Sequence, residues 1–479
     1  MSNIPAQVDT VVIGSGASGL AAAVTMAEGG AKDIVFEKER ALGGSSNFLR
    51  GVFAVESELQ RERYIMYSRD QAFKKIMEYS HWRADPRLVR AIVNESAGTI
   101  AWLQKQDVEF LGASMFVPDN PPTYHVVKGT GEAIIKALAT RAREKGVSIM
   151  PVTPVKQIIK AGNRIDGVIV EQDEEDVSVA AKAVVIASGG YANNKEWIKK
   201  YTGFELDVDV TPVGNVHKTG DGIRMAFEVG AADEGLGGLE LLRTGFADPG
   251  SSGFLGFTVV QPDLWINSQG ERFCDESITF SDTDMGNASA RQNGSTYSIF
   301  DSAILKYLME KGIDKAMTPE LPPGSRLIEL DREIEAVLPR QSPTVFKADS
   351  MKSLAEKTGI DPVKLQATVD EYNEFCDRGH DAIFAKDRKY LRPIRVSPFY
   401  AVKAHTVFLG TLGGIKINHK TEVLDKQGNV IPGLYAGGYG AGGMYGDSYC
   451  IKDSAGLSSS FAINSGRIAG KNALNFLGK

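Results

Sequence analysis

The sequence predicts an α/β protein in which a Rossmann-type nucleotide-binding domain is interrupted by a second, α+β domain. Three observations carry that prediction. The chain opens with a strand, tight turn, helix and strand; an acidic residue ends the second strand; and glycine-ended apolar strands return near the C-terminus after a long stretch of different character.

The β-branched run from Asp9 to Ile13 ends at Gly14, and the small, helix-tolerant stretch Gly19 to Glu28 follows it. A second strand, Asp33 to Glu37, closes a unit of about the ~30 residues expected for a βαβ nucleotide site. Gly14-Ser15-Gly16-Ala17-Ser18-Gly19 is G-x-G-x-x-G between strand and helix. Its glycines permit the turn and let backbone N–H groups approach a pyrophosphate at the helix N-terminus. That motif alone is weak evidence. Glu37 strengthens it, because it stands 18 residues beyond Gly19, where a carboxylate can accept the ribose hydroxyls of an adenosine half.

Further along, Asp85 to Gln104, with its Pro86 start, and Thr130 to Lys145 have the apolar spacing of amphipathic helices. From Val147 to Gly190 the period shortens to two, predicting strands at Ile165 to Glu171, Val177 to Val179 and Ala183 to Ala187, a meander returning to a buried strand. Between Gly238 and Gly410 prolines, charged helices and irregular loops predominate, with Asp361 to Asp377 as the clearest helix. The last segment returns to Gly-rich strands and a helix over Ser458 to Phe476. The expected domains are 1–237, an inserted 238–411, and 412–479, which completes the first.

Composition narrows the partners. The 479 residues carry 43% apolar side chains, enough for a large core, and 54 basic against 60 acidic residues give a net charge of -6 without a basic run. Nucleic acid is therefore not expected, and a small-molecule substrate is. Cys274, Cys376 and Cys450 form no C-x-x-C pattern, so no disulfide framework, zinc site or attached haem is expected, and no metal. The short polar N-terminus and the lack of an apolar run near the ~20 residues of a membrane span point to a cytoplasmic protein with no membrane span.

Three later segments favour FAD over a nicotinamide cofactor. Gly43-Gly44-Ser45-Ser46 offers small residues and hydroxyls for a second pass along a pyrophosphate. Val185-Ile186-Ala187-Ser188-Gly189-Gly190 and Gly433-Leu434-Tyr435-Ala436-Gly437-Gly438 are apolar strands stopping at paired glycines, as needed where chain passes close to a dinucleotide. With Thr219-Gly220-Asp221-Gly222, Asn267-Ser268-Gln269-Gly270-Glu271-Arg272-Phe273-Cys274-Asp275-Glu276 and Gly410-Thr411-Leu412-Gly413-Gly414, these motifs resemble, over nearly the full length, a family. It is that of the flavoprotein subunits of fumarate reductase and succinate dehydrogenase, together with 3-ketosteroid dehydrogenases.

The resemblance implies a glutathione-reductase-like, discontinuous FAD domain and a mobile capping domain, with substrate held between them. It assigns FAD binding to Gly14, Gly16, Ala17, Ser18, Gly19, Glu37, Lys38, Gly43, Gly44, Ser45 and Ser46, then to Val155, Ala187, Ser188, Gly189, Asp221, Gly437 and Gly438, and finally to Gly456, Leu457 and Ser458. No histidine occupies the Ser45-Ser46 region, so FAD is expected to be non-covalent. Relatives bind the ribityl chain with Glu or Asn where this chain has Tyr439.

The substrate groups depart further. Fumarate reductases fix a dicarboxylate with histidine and arginine and deliver a proton from arginine, because two carboxylates need cationic forks. The proton donor's position is matched by Phe280, which also stands where ketosteroid dehydrogenases have a tyrosine; the histidine becomes Gly410, and the last arginine falls in Lys452-Asp453. Met444-Tyr445-Gly446-Asp447-Ser448-Tyr449 resembles the ketosteroid dehydrogenase segment whose tyrosine, paired with a glycine N–H, polarises a ketone. Tyr449 or Tyr445 with Gly456, and on a shifted register Lys452, are the candidates for that role.

His125 is a candidate proton shuttle or a surface loop histidine, and Tyr124, Phe280, Phe408 and Gly410 are candidate substrate contacts, with Phe254, Leu255, Phe257 and Leu409 as further apolar neighbours. The expected activity is reduction or desaturation of a C–C bond conjugated to a carbonyl in a cyclic or aromatic compound, such as a steroid, a cyclohexanone or a plant phenolic. One rival is an organic-acid reductase with an anion site at Arg243, Arg291 or Lys452; another is a flavin-bound electron-transfer subunit. NAD(P)H or a redox protein would exchange electrons with the flavin.

Overall fold

The computed structural model describes residues 4–116, 120–214, 217–246, 253–292, 294–316, 321–339 and 344–479. The chain divides into two compact units: Met1–Gly203, Gly214–Glu240 and Leu409–Lys479 form the first, Phe204–Val213 and Leu241–Phe408 the second. Phe204–Val213, from the range 1–237, sits in the second unit because Val210–Pro212 pairs in parallel with Thr406–Phe408.

The first unit is built on a parallel sheet. Gln7–Ile13 lies between Asp33–Phe36 and Glu175–Ile186, while Ser148–Met150 and Val430–Ala436 extend the sheet in parallel on either side. Both faces are covered, which is why these strands read as near-continuous apolar runs: Val11, Val12, Ile34, Val35, Val184 and Val185 are fully buried. Val155–Ala161, Arg164–Gln172 and Glu175–Ile186 form the antiparallel meander.

The two expected strands at Val177 to Val179 and Ala183 to Ala187 are one 12-residue strand. Its first four residues, beside the antiparallel Arg164–Gln172, are not buried, burial alternates from Val179 to Ala183 where Gln7–Ile13 begins to pair with it, and its last four residues are all buried. The period changed because the surroundings change, with no break in the strand.

Helix Ala17–Glu28 packs against helix Leu457–Leu477 through residues too small to hold the backbones apart. A Cβ on Gly466 would stand 2.0 Å from the carbonyl oxygen of Ser18, and one on Gly19 2.0 Å from that of Gly14. Helix Pro86–Lys105 starts as its sequence predicts, with the Asp85 carboxylate accepting from the N–H groups of Arg87 and Leu88.

In the second unit a six-stranded sheet is organised on the 13-residue strand Phe399–Thr411, against which Thr296–Asp301 and Val345–Ala348 run antiparallel. Leu255, Leu264, Phe300 and Leu365 belong to its apolar core, and Phe254 and Phe257 pack on it. Those three residues, Phe254, Leu255 and Phe257, therefore serve packing. The Asn267 to Glu276 motif is explained within this unit. Asn267 Oδ1 accepts from the N–H groups of Gln269 and Glu271, and the Arg272 guanidinium grips Glu276 through two hydrogen bonds of 3.0 and 2.9 Å while also reaching Asp381 at 2.8 Å.

Among the described residues no helix is long and apolar enough to cross a membrane, and no group of His, Cys, Asp and Glu could hold a metal ion. The helix pairing in the first unit makes a direct prediction. Gly466→Ala should lower stability by about the 1–3 kcal/mol of an overpacked core, read as a reduced denaturation midpoint, whereas Gly98→Ala, on a helix where an added Cβ meets nothing within 4 Å, should not.

Candidate functional site

Three backbone hydrogen bonds bring the carboxyl ends of four parallel strands into register. Gly14 N–H donates to Phe36 O at 2.8 Å, Ala187 N–H to Ile13 O at 2.8 Å, and Gly437 N–H to Ile186 O at 3.0 Å. The glycine turns of the sequence thus converge at the edge where open α/β sheets bind ligands. Gly14 has φ +102°, and a Cβ there would lie 2.7 Å from Ala187 O, so only glycine allows the two strand ends to meet.

Gly16 is the N-cap of helix Ala17–Glu28, which has no side-chain cap and no acidic residue in its first turn. The Ala17 N–H donates to Ser46 Oγ at 3.0 Å, which ties the turn Gly44–Phe48 to that N-terminus. Gly43 adopts φ +101° and donates its N–H to Ser15 Oγ. Ser18 Oγ and Ser188 Oγ are buried without a hydrogen-bond partner, and space around Gly44 is open. Ser45 lies in the same turn, and Ala187 and Val155 are buried close to their strand ends.

Glu37 points back at the fingerprint. Its carboxylate accepts from Ser15 N–H at 2.9 Å, Ser15 Oγ–H at 2.7 Å and Glu39 N–H at 2.9 Å. Three of roughly four acceptor positions are thereby used by the protein, leaving capacity for about one ribose hydroxyl and not for the pair expected from the sequence. Lys38 and Asp221 face each other as a half-exposed ion pair of 2.7 Å, joined by Thr219. His217, at the same loop, bonds Glu39 at 2.6 Å.

Near the N-terminus of helix Leu457–Leu477 the structure gathers tyrosines. Tyr449 Oη accepts from the Leu457 N–H at 2.9 Å, and the Tyr445 and Tyr449 rings lie 5.9 Å apart. The Tyr445 hydroxyl is buried and has no partner. Burial pushes both phenols well above their ordinary range, so both stay protonated. Gly456, at φ +82°, caps this helix, and a Cβ there would meet Phe53 N at 2.7 Å and the Tyr124 ring at 3.0 Å. Tyr124 therefore joins the cluster's surroundings.

Two departures noted in the sequence are one structural event. A Cβ on Gly410 would lie 2.9 Å from the Tyr439 ring, and the Tyr439 hydroxyl hydrogen-bonds Glu240. The ring fills the room that a side chain at 410 would need. Lys218 places its amino group 4.7 Å over the same ring.

His125 is neither a surface residue nor placed to shuttle protons. It is fully buried, with Nε2 2.6 Å from Ser57 Oγ and Nδ1 3.0 Å from Thr123 O, and burial depresses its pKa to about 4 against weaker support from the Thr123 and Val52 backbone. Both nitrogens are occupied. Lys452 lies in the short helix Ile451–Ser454 of the first unit, half-buried. In the second unit the Phe280 ring lies 5.4 Å from that of Tyr390, Phe408 is fully buried, and Arg291, at the end of helix Asp282–Ala290, is exposed.

Residues 9–449 match the model of the family described as FAD binding domain. The chain belongs to this family. It is 34% identical over 479 residues to the vinyl phenol reductase of Lactiplantibacillus plantarum, covering 98% of this chain and 96% of that protein. It is 27% identical over 482 residues to a fumarate reductase (cytochrome) of Shewanella frigidimarina, covering 98% of this chain and 77% of that protein. Among solved structures, 3-ketosteroid delta1-dehydrogenase from Sterolibacterium denitrificans shares the fold, with a TM-score of 0.78 at 19% identity, covering 99% of this chain and all of the other.

The protein is thus an FAD-dependent oxidoreductase acting on carbon–carbon double bonds. The residues present in the first unit suit that cofactor. A helix N-terminus with no acidic residue in its own first turn, a glycine turn with open space at Gly44 and two unpartnered serine hydroxyls are what a buried pyrophosphate needs.

Sequence reasoning on this flavoprotein missed Glu240 and Lys218. Glu240 sits in a run, Leu239 to Leu242, that reads as an ordinary strand, and Lys218 precedes a loop motif; nothing local marks either as buried. Their partnership with Tyr439 appears only when segments about two hundred positions apart meet.

Two outcomes are expected. The purified protein should be yellow and release FAD, not FMN, on denaturation. Gly410→Ala should cost about 1–3 kcal/mol by overpacking, and that loss should vanish in a Tyr439→Ala background; equal losses in both backgrounds, measured by denaturant titration, would show that the ring is not what excludes a side chain at 410.

Proposed function

We propose that this flavoprotein reduces the vinyl side chain of a para-hydroxylated aromatic substrate, a 4-vinylphenol, with electrons supplied by NAD(P)H or a redox protein. The observation that carries the reading is the Tyr445 hydroxyl, buried without a partner next to Tyr449, in a corner where a glycine and a tyrosine ring stand in place of a cationic clamp. A dicarboxylate would need a pair of fixed cationic forks there, whereas the amine over the Tyr439 ring, Lys218, is already set against the acid Glu240. A neutral phenol needs hydroxyl donors and an apolar wall, which Tyr445, Tyr449 and Phe461 supply. The similarity to a vinyl phenol reductase over nearly the whole of both chains supports the same substrate class.

Bound and reduced FAD supplies hydride. The vinyl group of a phenol is electron-rich, and it accepts hydride once the ring oxygen has lost its proton and the terminal carbon has gained one, which gives a quinone methide. Hydride at the benzylic carbon then returns the negative charge to the ring oxygen. Tyrosine hydroxyls aimed at that oxygen stabilise the product-like charge more than the neutral ground state, which is how such donors accelerate a reaction.

Tyr449 is arranged for this. Its oxygen already accepts from the Leu457 N–H, so its proton is left to donate, and the positive end of helix Leu457–Leu477 favours negative charge nearby. Tyr445, protonated and unpartnered, provides the second donor.

Anaerobically reduced holoenzyme should be reoxidised rapidly by 4-vinylphenol, far more slowly by 4-methoxystyrene, whose ring oxygen has no proton to lose, and at background rate by fumarate. Reoxidation by 4-methoxystyrene as fast as by the phenol would remove the quinone methide route. Tyr449→Phe should keep its FAD and slow single-turnover reoxidation by about the 10²–10³-fold typical of losing one such donor.

A further inference from the structure

Lys218, Glu240 and Tyr439 form a buried titratable cluster that the reduction of substrate does not use. Glu240 is 1% exposed and Lys218 8%, and all three groups belong to the first unit. The Tyr439 hydroxyl donates to Glu240 Oε2, while Oε1 of the same carboxylate has no hydrogen-bond partner. The Lys218 amino group stands over the Tyr439 ring and interacts with the Glu240 charge, and among the described residues it donates no hydrogen bond. A buried carboxylate with a free oxygen beside a buried amine with unused donors is costly to maintain for packing alone.

The cluster is embedded in the backbone that converges at the strand ends. The Lys218 stem lies over Gly189, where a Cβ would stand 3.3 Å from Lys218 Cε. Tyr439 directly follows Gly437 and Gly438, and the Gly438 N–H donates to Ser465 on helix Leu457–Leu477. Ser458, in the first turn of that helix, lies beside both Glu240 and Tyr439. Gly189, Gly437, Gly438 and Ser458 are all positions that the family resemblance gives to FAD.

We propose that Lys218, Glu240 and Tyr439 are a proton-storing device for the bound flavin, taking up one proton from solvent when two electrons and one proton enter the isoalloxazine ring. The balance is two electrons from the reductant, one proton to the flavin and one to the cluster, so that the anionic charge of the reduced ring is compensated inside a buried site. This inference rests on FAD binding and not on the substrate reading above.

The sign follows from the electrostatics. Burial pushes Glu240 up, to about 7, with Tyr439, Ser458 and Lys218 partly opposing it, and pushes Lys218 down, to about 7, with Glu240 opposing. Tyr439, Tyr445 and Tyr449 face the same carboxylate and remain protonated. Added negative charge from the reduced flavin raises the proton affinity of every one of these groups. Reduction therefore draws in a proton at any pH that lies between the proton affinity of the cluster beside the oxidised flavin and its higher affinity beside the reduced one.

The test is the flavin midpoint potential of the holoenzyme, measured spectroelectrochemically with mediator dyes between pH 7 and 8.5. A tenfold change in a two-electron equilibrium is about 30 mV, so one proton gives about 30 mV per pH unit and two give about 59 mV. The expected slope for the native protein is near 59 mV, falling to about 30 mV in Lys218→Met/Glu240→Gln, which replaces both charges with neutral groups of similar size. A native slope of about 30 mV overturns the proposal, and so does a steep slope that survives in the double variant.

Should the double variant not retain FAD, Tyr439→Phe decides. Loss of its hydrogen bond raises the proton affinity of Glu240, so the pH at which the slope steepens should move upward. An unmoved break would assign the second proton elsewhere.

Discussion

The close approach of Gly14 to Ala187 is the constraint on which the first unit depends. Two parallel strands can bring their carboxyl ends this near only if one residue lacks a Cβ, and the 2.7 Å that a Cβ would leave to a backbone oxygen cannot be relieved by a side-chain rotation. Once the approach is made, the hydrogen bonds from Gly14, Ala187 and Gly437 set four strand ends at one level. The helix N-terminus at Gly16, the Glu37 carboxylate and the glycine-lined edge then follow without further specification, as does the contact of Gly466 with Ser18 that seats the last helix.

Local periodicity made most of this unit legible. The helix starting at Pro86, the helix over Asp361 to Asp377, the G-x-G-x-x-G turn and the apolar strand runs are all signalled within short windows, and each was readable because the chemistry that produces it is local. What was not legible depends on distant partners. The second unit's sheet gathers strands from Val210–Pro212 to Phe399–Thr411, so no window of sequence contains a complete pairing. His125 could be read as a loop histidine because its burial is created by Ser57 and the neighbouring strands, which sequence spacing does not reveal. Glu37 was legible as a carboxylate at the end of the second strand, yet how much of its acceptor capacity the protein consumes is a matter of geometry alone.

On the proposed substrate reading, the tyrosine-rich corner exchanges one recognition chemistry for another. Charged substrates are held by cations whose desolvation is repaid by the substrate's own charge. A neutral phenol offers no such repayment, so a buried arginine would be left uncompensated in the empty site. Tyrosines avoid that problem: each brings a large apolar face and one donor, and the donor can be kept oriented by a backbone N–H, as Leu457 does for Tyr449. The substitution pattern at 410 and 439 is the packing counterpart. A ring in one position requires no side chain in the other.

Lys218 is a cation of that corner, and it stands beside an acid, Glu240. A buried Lys and Glu replaced by well-packed neutral residues often leave stability unchanged or improved, so burial of Lys218 and Glu240 gains little for folding. Their arrangement is suited to an environment whose charge changes during turnover. With the oxidised flavin the pair can neutralise itself internally, by charge or by proton transfer, at no net charge to the site. With a reduced flavin it can become net positive by one proton, and Tyr439, hydrogen-bonded to Glu240 and lying under Lys218, links the two groups so that they respond together. Arg272 with Glu276 and Asp381 in the second unit differs in being a guanidinium held by three hydrogen bonds to two carboxylates, and a guanidinium keeps its proton at any ordinary pH. Lys218 and Glu240, by contrast, are an amine and a carboxylic acid that burial moves in opposite directions from their ordinary ranges, which is what the proposed proton uptake requires.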